Sequence, residues 1–169
     1  MRFLLSAAWL AAGILAAADL EVTVEIPRLN VAEYHRPYVA VWMEDAGQKV
    51  AANLTVWYDQ QTTKNEKGTT WLKDLRTWWR KAGRELSFPV DGVSGATRPP
   101  GSHQLTFRGA GPALSKLAPG AYELVVEAAR EVGGREVLRV PFQWPGGKAQ
   151  PAKAQGQREL GLVQLIVKP

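Results

Sequence analysis

A chain of 169 residues is long enough for one domain with its own core and gives no reason to expect two. It contains no cysteine, which excludes disulfides, thiolate nucleophiles, iron–sulfur clusters and covalent c-type haem. The formal net charge of +5 is interspersed with Asp and Glu rather than held in a block, which argues against nucleic-acid binding.

At the N-terminus, Arg2 precedes an almost wholly apolar run, Phe3–Leu15, which closes in Ala16-Ala17-Ala18 ahead of Asp19. One cation, a short apolar stretch and a small-residue end make the pattern of a cleavable secretory signal. The run is also shorter than the roughly 20 residues a membrane-spanning helix needs. The expected organisation is a signal peptide over 1–18 and a single exported domain over 19–169, not membrane-spanning once cleaved.

Leu20–Ile26 alternates apolar and polar residues, the period of a half-buried strand, and Pro27 ends it. Similar β signals recur at Tyr38–Met43, Leu54–Tyr58, His103–Arg108, Tyr122–Ala129, Glu136–Phe142 and Leu160–Val167. Pro119-Gly120 and Gly133-Gly134 punctuate them, the latter as a hairpin turn. Seven short strands predict a mainly β chain, an immunoglobulin-like antiparallel β-sandwich.

One segment breaks this pattern. Trp71, Leu75, Trp78 and Trp79 recur at helical spacing between Thr69 or Thr70, which can cap a helix, and Gly83, which can stop it. The expectation is one inserted short helix at about 70–82, followed by a long loop at about 84–102. An amphipathic helix ordinarily buries its apolar face on the sheet. Adjacent Trp78 and Trp79 point about 100° apart, so one of them can remain available to a ligand. Pro145–Gln157, rich in Gly, Pro, Ala, Lys and Gln, is expected to be a flexible solvated loop.

Asp91-Gly92-Val93-Ser94-Gly95-Ala96-Thr97, followed by Arg98-Pro99-Pro100-Gly101, is a turn-rich loop of small residues ending in a hydroxyl and a cation. Gly92 and Gly95 permit positive φ and close backbone approach, and Ala96 leaves the Thr97 hydroxyl open. Turn chemistry alone would explain each residue. The pattern as a whole resembles the acceptor site of the bacterial flavin transferase: Asp, two variable residues, Ser or Thr, Gly, Ala, Thr. That enzyme splits FAD and joins FMN through a phosphoester to the threonine. The resemblance implies FMN held covalently on Thr97, a recognition loop of Asp91, Ser94, Gly95 and Ala96, and a flavin transferase as partner. Arg98, with Arg80, Lys81 and Arg84 nearby in sequence, is then expected to meet the phosphodiester charge. Trp78 and Trp79 are candidates to stack on the flavin ring, and Trp71 lies in the same segment.

Other chemistry has little support. His35 and His103 are the only histidines, with no metal-ligand spacing, so no metal site is assigned. No acid/base or nucleophile constellation appears, so no catalytic residue is assigned either. Asn53-Leu54-Thr55 fits a glycosylation pattern but falls in a predicted strand.

Taken together, Tyr34–Trp42, Leu75–Arg80 and Asp91–Gly101 resemble the bacterial family of unknown function DUF2271 over nearly the whole mature chain. That resemblance implies a periplasmic protein found beside PepSY-type membrane proteins and iron-acquisition or redox genes. Two functions follow as expectations. One is a periplasmic electron carrier with FMN on Thr97, a redox carrier rather than a turnover enzyme, exchanging electrons with a membrane partner. The other is a cofactor-free accessory sandwich serving a PepSY-type protein or an iron-uptake system. A Thr97 hydroxyl buried in the core would favour the second.

Overall fold

A computed structural model describes residues 18–61, 67–147, 149 and 151–169. The residues read as the signal peptide lie outside this set apart from Ala18. Strand β1 (Asp19–Ile26) begins at the residue after the small-residue run. Then come β2 (Tyr38–Asp45), β3 (Val50–Tyr58), a helical segment, β4 (Ser94–Ala96), β5 (Gly101–Phe107), β6 (Gly120–Ala129), β7 (Arg135–Trp144), β8 (Pro151–Gln155) and β9 (Leu162–Lys168). One sheet has the order β5-β1-β9-β8 and the other β4-β3-β2-β6-β7. The described pairings are antiparallel except β3 with β4, which run parallel.

The expected sandwich is present, and alternation builds it. Leu20, Val22, Val24 and Ile26 of β1 face Val39, Val41 and Met43 of β2 and Leu124, Val126 and Ala128 of β6 across the inter-sheet core. Strand β2 is apolar on its other side as well. Ala40 and Trp42 join Val56, Tyr58 and Val125 beneath Leu72, Leu75 and Trp78 of the helical segment. A strand buried on both faces reads as a continuous apolar run, which is how Tyr38–Met43 stands in the sequence.

Three local expectations need correction. The single helix at 70–82 is instead a 3₁₀ helix at Gly68–Asp74, a short α1 at Arg76–Lys81 and a 3₁₀ turn at Gly83–Glu85. Neither threonine caps it, and Leu75 leaves helical geometry at ψ 66°, which divides the segment. The stretch at 84–102 is not all loop, because β4 lies within it and β5 begins at Gly101. The supposed solvated loop at Pro145–Gln157 contains β8, paired with β9. Its inward residues, Ala152 and Ala154, are too small to give a strong alternation, yet they pack against the core.

Buried and half-buried carboxylates tie the loops to the sandwich. Glu136 accepts four backbone N–H bonds, from Gln157, Arg158, Glu159 and Leu160, at 2.8–3.0 Å, fixing the turn between β8 and β9. Burial alone would raise its pKa, but these donors outweigh it and hold the carboxyl below its ordinary value. Glu44 is also lowered: burial again acts upward, and Lys81, Arg139 and the Trp42 indole overcome it. Carboxyls depressed in the folded state stabilise it above the ordinary glutamate range and lose that contribution as pH falls through the folded-state value. Thermal stability is therefore expected to fall below about pH 4.3. Glu136→Gln should cost about 1–3 kcal/mol at neutral pH. Melting curves from pH 6 to pH 3 check this: the variant should show the shallower acid loss, and parallel curves would contradict the assignment.

Candidate functional site

Strand β4 puts Thr97 at a defined place. Ser94, Gly95 and Ala96 pair with Val56, Trp57 and Tyr58, and the Thr97 N–H donates to the Tyr58 carbonyl at 3.2 Å. Upstream, the turn is closed by the Ser94 N–H on the Val90 carbonyl and by the Val90 N–H on Ser94 Oγ, both at 2.9 Å. Gly92 meets the positive-φ expectation and Gly95 the close-approach one, and neither meets both. Gly92 has φ +68°, and a Cβ on Gly95 would lie 3.2 Å from Trp57 Cδ1. The motif thus divides into two groups. Ser94 and Gly95 are used by the loop itself, whereas Asp91 and Ala96 are exposed and their side chains make no hydrogen bond within the described residues. Thr97 is half-buried, and its hydroxyl has no hydrogen-bond partner there while remaining open to solvent.

Thr97 stands on a cleft of about 630 Å³, within the range of ligand-binding clefts. Tyr38, Asp59, Gly68 and Trp71 line it, with His35, Arg36 and Arg130 among the residues that complete it. Trp71 is 44% exposed, while Tyr38 donates its hydroxyl to the Gly68 carbonyl at 2.9 Å. Arg130 is buried, its side chain 6% exposed, and it is fixed by two bonds to Glu159 at 2.8 and 3.1 Å. Those bonds, more than its burial, set its pKa, raised above the ordinary guanidinium value. Its Nη1 nevertheless has no partner, and neither has the buried hydroxyl of Tyr34. Burial raises the Tyr34 pKa, against an opposing pull from Arg130.

The remaining basic and aromatic candidates are placed elsewhere. Arg98 lies 5.5 Å from the Trp57 ring centroid, a cation–π contact, and His103 meets the same indole edge-on at 5.6 Å. Lys81 turns to Glu44 and the Gln48 carbonyl, Arg84 pairs with Glu85, and Arg80 bonds its own helix at the Arg76 carbonyl. Trp78 is fully buried and donates its indole N–H to Asn53 Oδ1 at 2.9 Å, so it offers no surface for a ring to stack on. Trp79 is half-buried against Trp78 and does not line the cleft. The stripe does bury one face on the sheet, and the indole it leaves at the cleft is Trp71.

Residues 19–162 match the model of a family described as "predicted periplasmic protein (DUF2271)". The chain belongs to the DUF2271 family. No curated protein and no solved structure matches it. Among the described residues of this DUF2271 protein, no helix is long and apolar enough to cross a membrane. The family description agrees with the export read from the leader.

Sequence reading did not single out Arg36, Tyr38, Asp59 or Arg130 as site residues. Arg36 lies just before β2 and Tyr38 at its start, Asp59 just after β3 and Arg130 just after β6, so they meet only at one end of the second sheet and no single local spacing announces all four. The available signal was the stretch Tyr34–Tyr38 itself, which places a phenol, an imidazole, a guanidinium and a second phenol within five residues.

Proposed function

We propose that this DUF2271 protein is a periplasmic electron carrier with FMN joined by a phosphoester to Thr97, exchanging electrons with a membrane redox protein of the PepSY type. One observation carries this reading: the solvent-open Thr97 hydroxyl ends a strand-braced loop on the rim of a cleft with an exposed indole, Trp71. Attachment forms a bond from the Thr97 oxygen to the FMN phosphorus of FAD. The pyrophosphate bond breaks, AMP leaves and the hydroxyl proton is released. A flavin transferase performs this step, and the exposed Asp91 and Ala96 lie on the surface it must approach.

The exposed Trp71 on the cleft suits an aromatic ligand. When bound, FMN supplies one- or two-electron exchange, and the protein's part is to orient the ring and set its potential. The cofactor-free accessory reading expects a Thr97 hydroxyl buried in the core, and its exposure favours the flavin. Co-expression of the full chain with a flavin transferase should give a mature protein heavier by one FMN less water. Thr97→Ala should abolish that gain. An unmodified wild-type chain, or a gain that survives the substitution, would overturn the proposal.

A further inference from the structure

Cations and acids are mixed along the sequence, and the fold sorts them. Residues 67–84 hold six of the chain's 21 cations (Lys67, Lys73, Arg76, Arg80, Lys81 and Arg84) and one of its 16 acids, Asp74. This helical segment therefore carries the whole net charge of +5, and the rest of the chain balances. Leu72, Leu75 and Trp78 bury its inner side on the sheet, so the cations are left on the outer side, where all six are exposed. Two are already paired, Lys81 with Glu44 and Arg84 with Glu85. Lys67, Lys73, Arg76 and Arg80 have no carboxylate within ion-pair distance among the described residues. The cleft alongside does not share this sign, since Asp59, Asp74 and Glu131 line it with Arg36 and Arg130. The excess belongs to the ridge.

Such a ridge fits a flat anionic surface better than a ligand of fixed shape. It is convex, a helical segment standing on the outer face of β2 and β3. The side chains of Lys67, Lys73 and Arg76 make no hydrogen bond among the described residues, and Arg80 bonds only the Arg76 carbonyl of its own helix. No fixed donor geometry selects one acceptor. Trp71 stands at the cleft end of the ridge, exposed, with Lys73 Nζ 5.5 Å from its ring centroid. Indoles favour the headgroup level of a bilayer, and anionic headgroups attract Lys and Arg held within a Debye length, roughly 8–10 Å.

We propose that the outer ridge of residues 67–84 docks this protein on the anionic phospholipid surface of a membrane bounding its compartment. Docking does not depend on FMN. It sets the rim of the Thr97 cleft, which Trp71 and Asp74 also line, beside the bilayer and within reach of a membrane partner.

The test is sedimentation of the purified exported chain with lipid vesicles. The chain should bind vesicles of equal parts phosphatidylglycerol and phosphatidylcholine and ignore phosphatidylcholine alone. Binding should be lost near 1 M salt, where the Debye length falls to about 3 Å. Arg76→Gln combined with Arg80→Gln should weaken binding about 30-fold, the effect of two cations near an anionic surface. Arg76→Lys combined with Arg80→Lys keeps the charge and should stay within about threefold of wild type. Far-ultraviolet circular dichroism should be the same for all three proteins, because both arginines are exposed. Equal binding to both kinds of vesicle, or a glutamine variant that binds as wild type does, overturns the proposal. So does a chain that ignores the vesicles, and its retention on immobilised polyglutamate would assign the ridge to an acidic protein instead.

Discussion

Trp78→Ala is expected to lower the stability of the folded chain by about 3–5 kcal/mol, the range for removing a large aromatic side chain from a core. Trp78 has no exposed surface, meets Trp79 and Phe88 at ring-centroid distances of 6.4 and 6.1 Å, and seats α1 on β2 and β3. Alanine would leave a cavity and strip Asn53 Oδ1 of its indole donor, two penalties that add. Domains of this size are stable by roughly 5–15 kcal/mol in total, so the loss is a large share. It corresponds to roughly 6–20 °C in melting temperature, at 2–4 °C per kcal/mol. A calorimetric shift below about 3 °C would mean that the helical segment is not anchored by this indole. Trp78→Phe should fall between the two, since it keeps ring packing and loses the N–H. The same segment carries Gly68 and Trp71 to the cleft, so the cleft should be lost with the helical segment.

Glu127→Ala is expected to cost about 3 kcal/mol and to release α1 locally before the sandwich unfolds. The Glu127 carboxylate is fully buried on β6 and accepts the backbone N–H groups of Thr77 and Trp78 at 3.1 and 2.8 Å. These are first-turn donors with no partner inside the helix, and α1 has no side-chain cap of its own. The same carboxylate pairs with Arg135, which also donates to the Thr77 hydroxyl. The Arg135 side chain is 35% exposed and can turn to water, which keeps the cost at the lower end of the range for a broken buried pair. Hydrogen exchange should show lost protection across 76–81 while β1 and β9 stay protected. Uniform loss across both sheets would indicate that Glu127 supports the whole fold instead.

Both substitutions act on contacts that join segments distant in sequence, and this is where sequence and structure part. The β content was legible because alternation has a period of two and the core needs it: Leu20, Val22, Val24 and Ile26 can face only one way. Strand β8 escaped notice because its inward residues, Ala152 and Ala154, bury too little to stand out among Gly, Lys and Gln. The helix was legible as a break in the β pattern. Its division at Leu75 was not, because the divided segment is fitted to the outer face of β2 and β3. The buried acids Glu44, Glu127 and Glu159 read as surface residues in the sequence, since nothing local shows that Arg139, Arg135 and Arg130 wait opposite them.

By itself the sequence determined the compartment signal, the sandwich class and the place of the turn-rich Asp91–Thr97 loop, because each is written in contiguous residues and short periods. The tertiary structure alone decided which of those motif residues serve the loop and which face outward. It also decided that Trp71 lines the cleft while Trp78 is in the core, and that Arg36 and Arg130, not Arg98 or Lys81, share the cleft with Thr97. The physical reason is strand pairing. The ends of β4, β3, β2 and β6 meet at one rim of a sheet, and a site assembled across three hydrogen-bonded intervals has no counterpart in residue spacing along the chain.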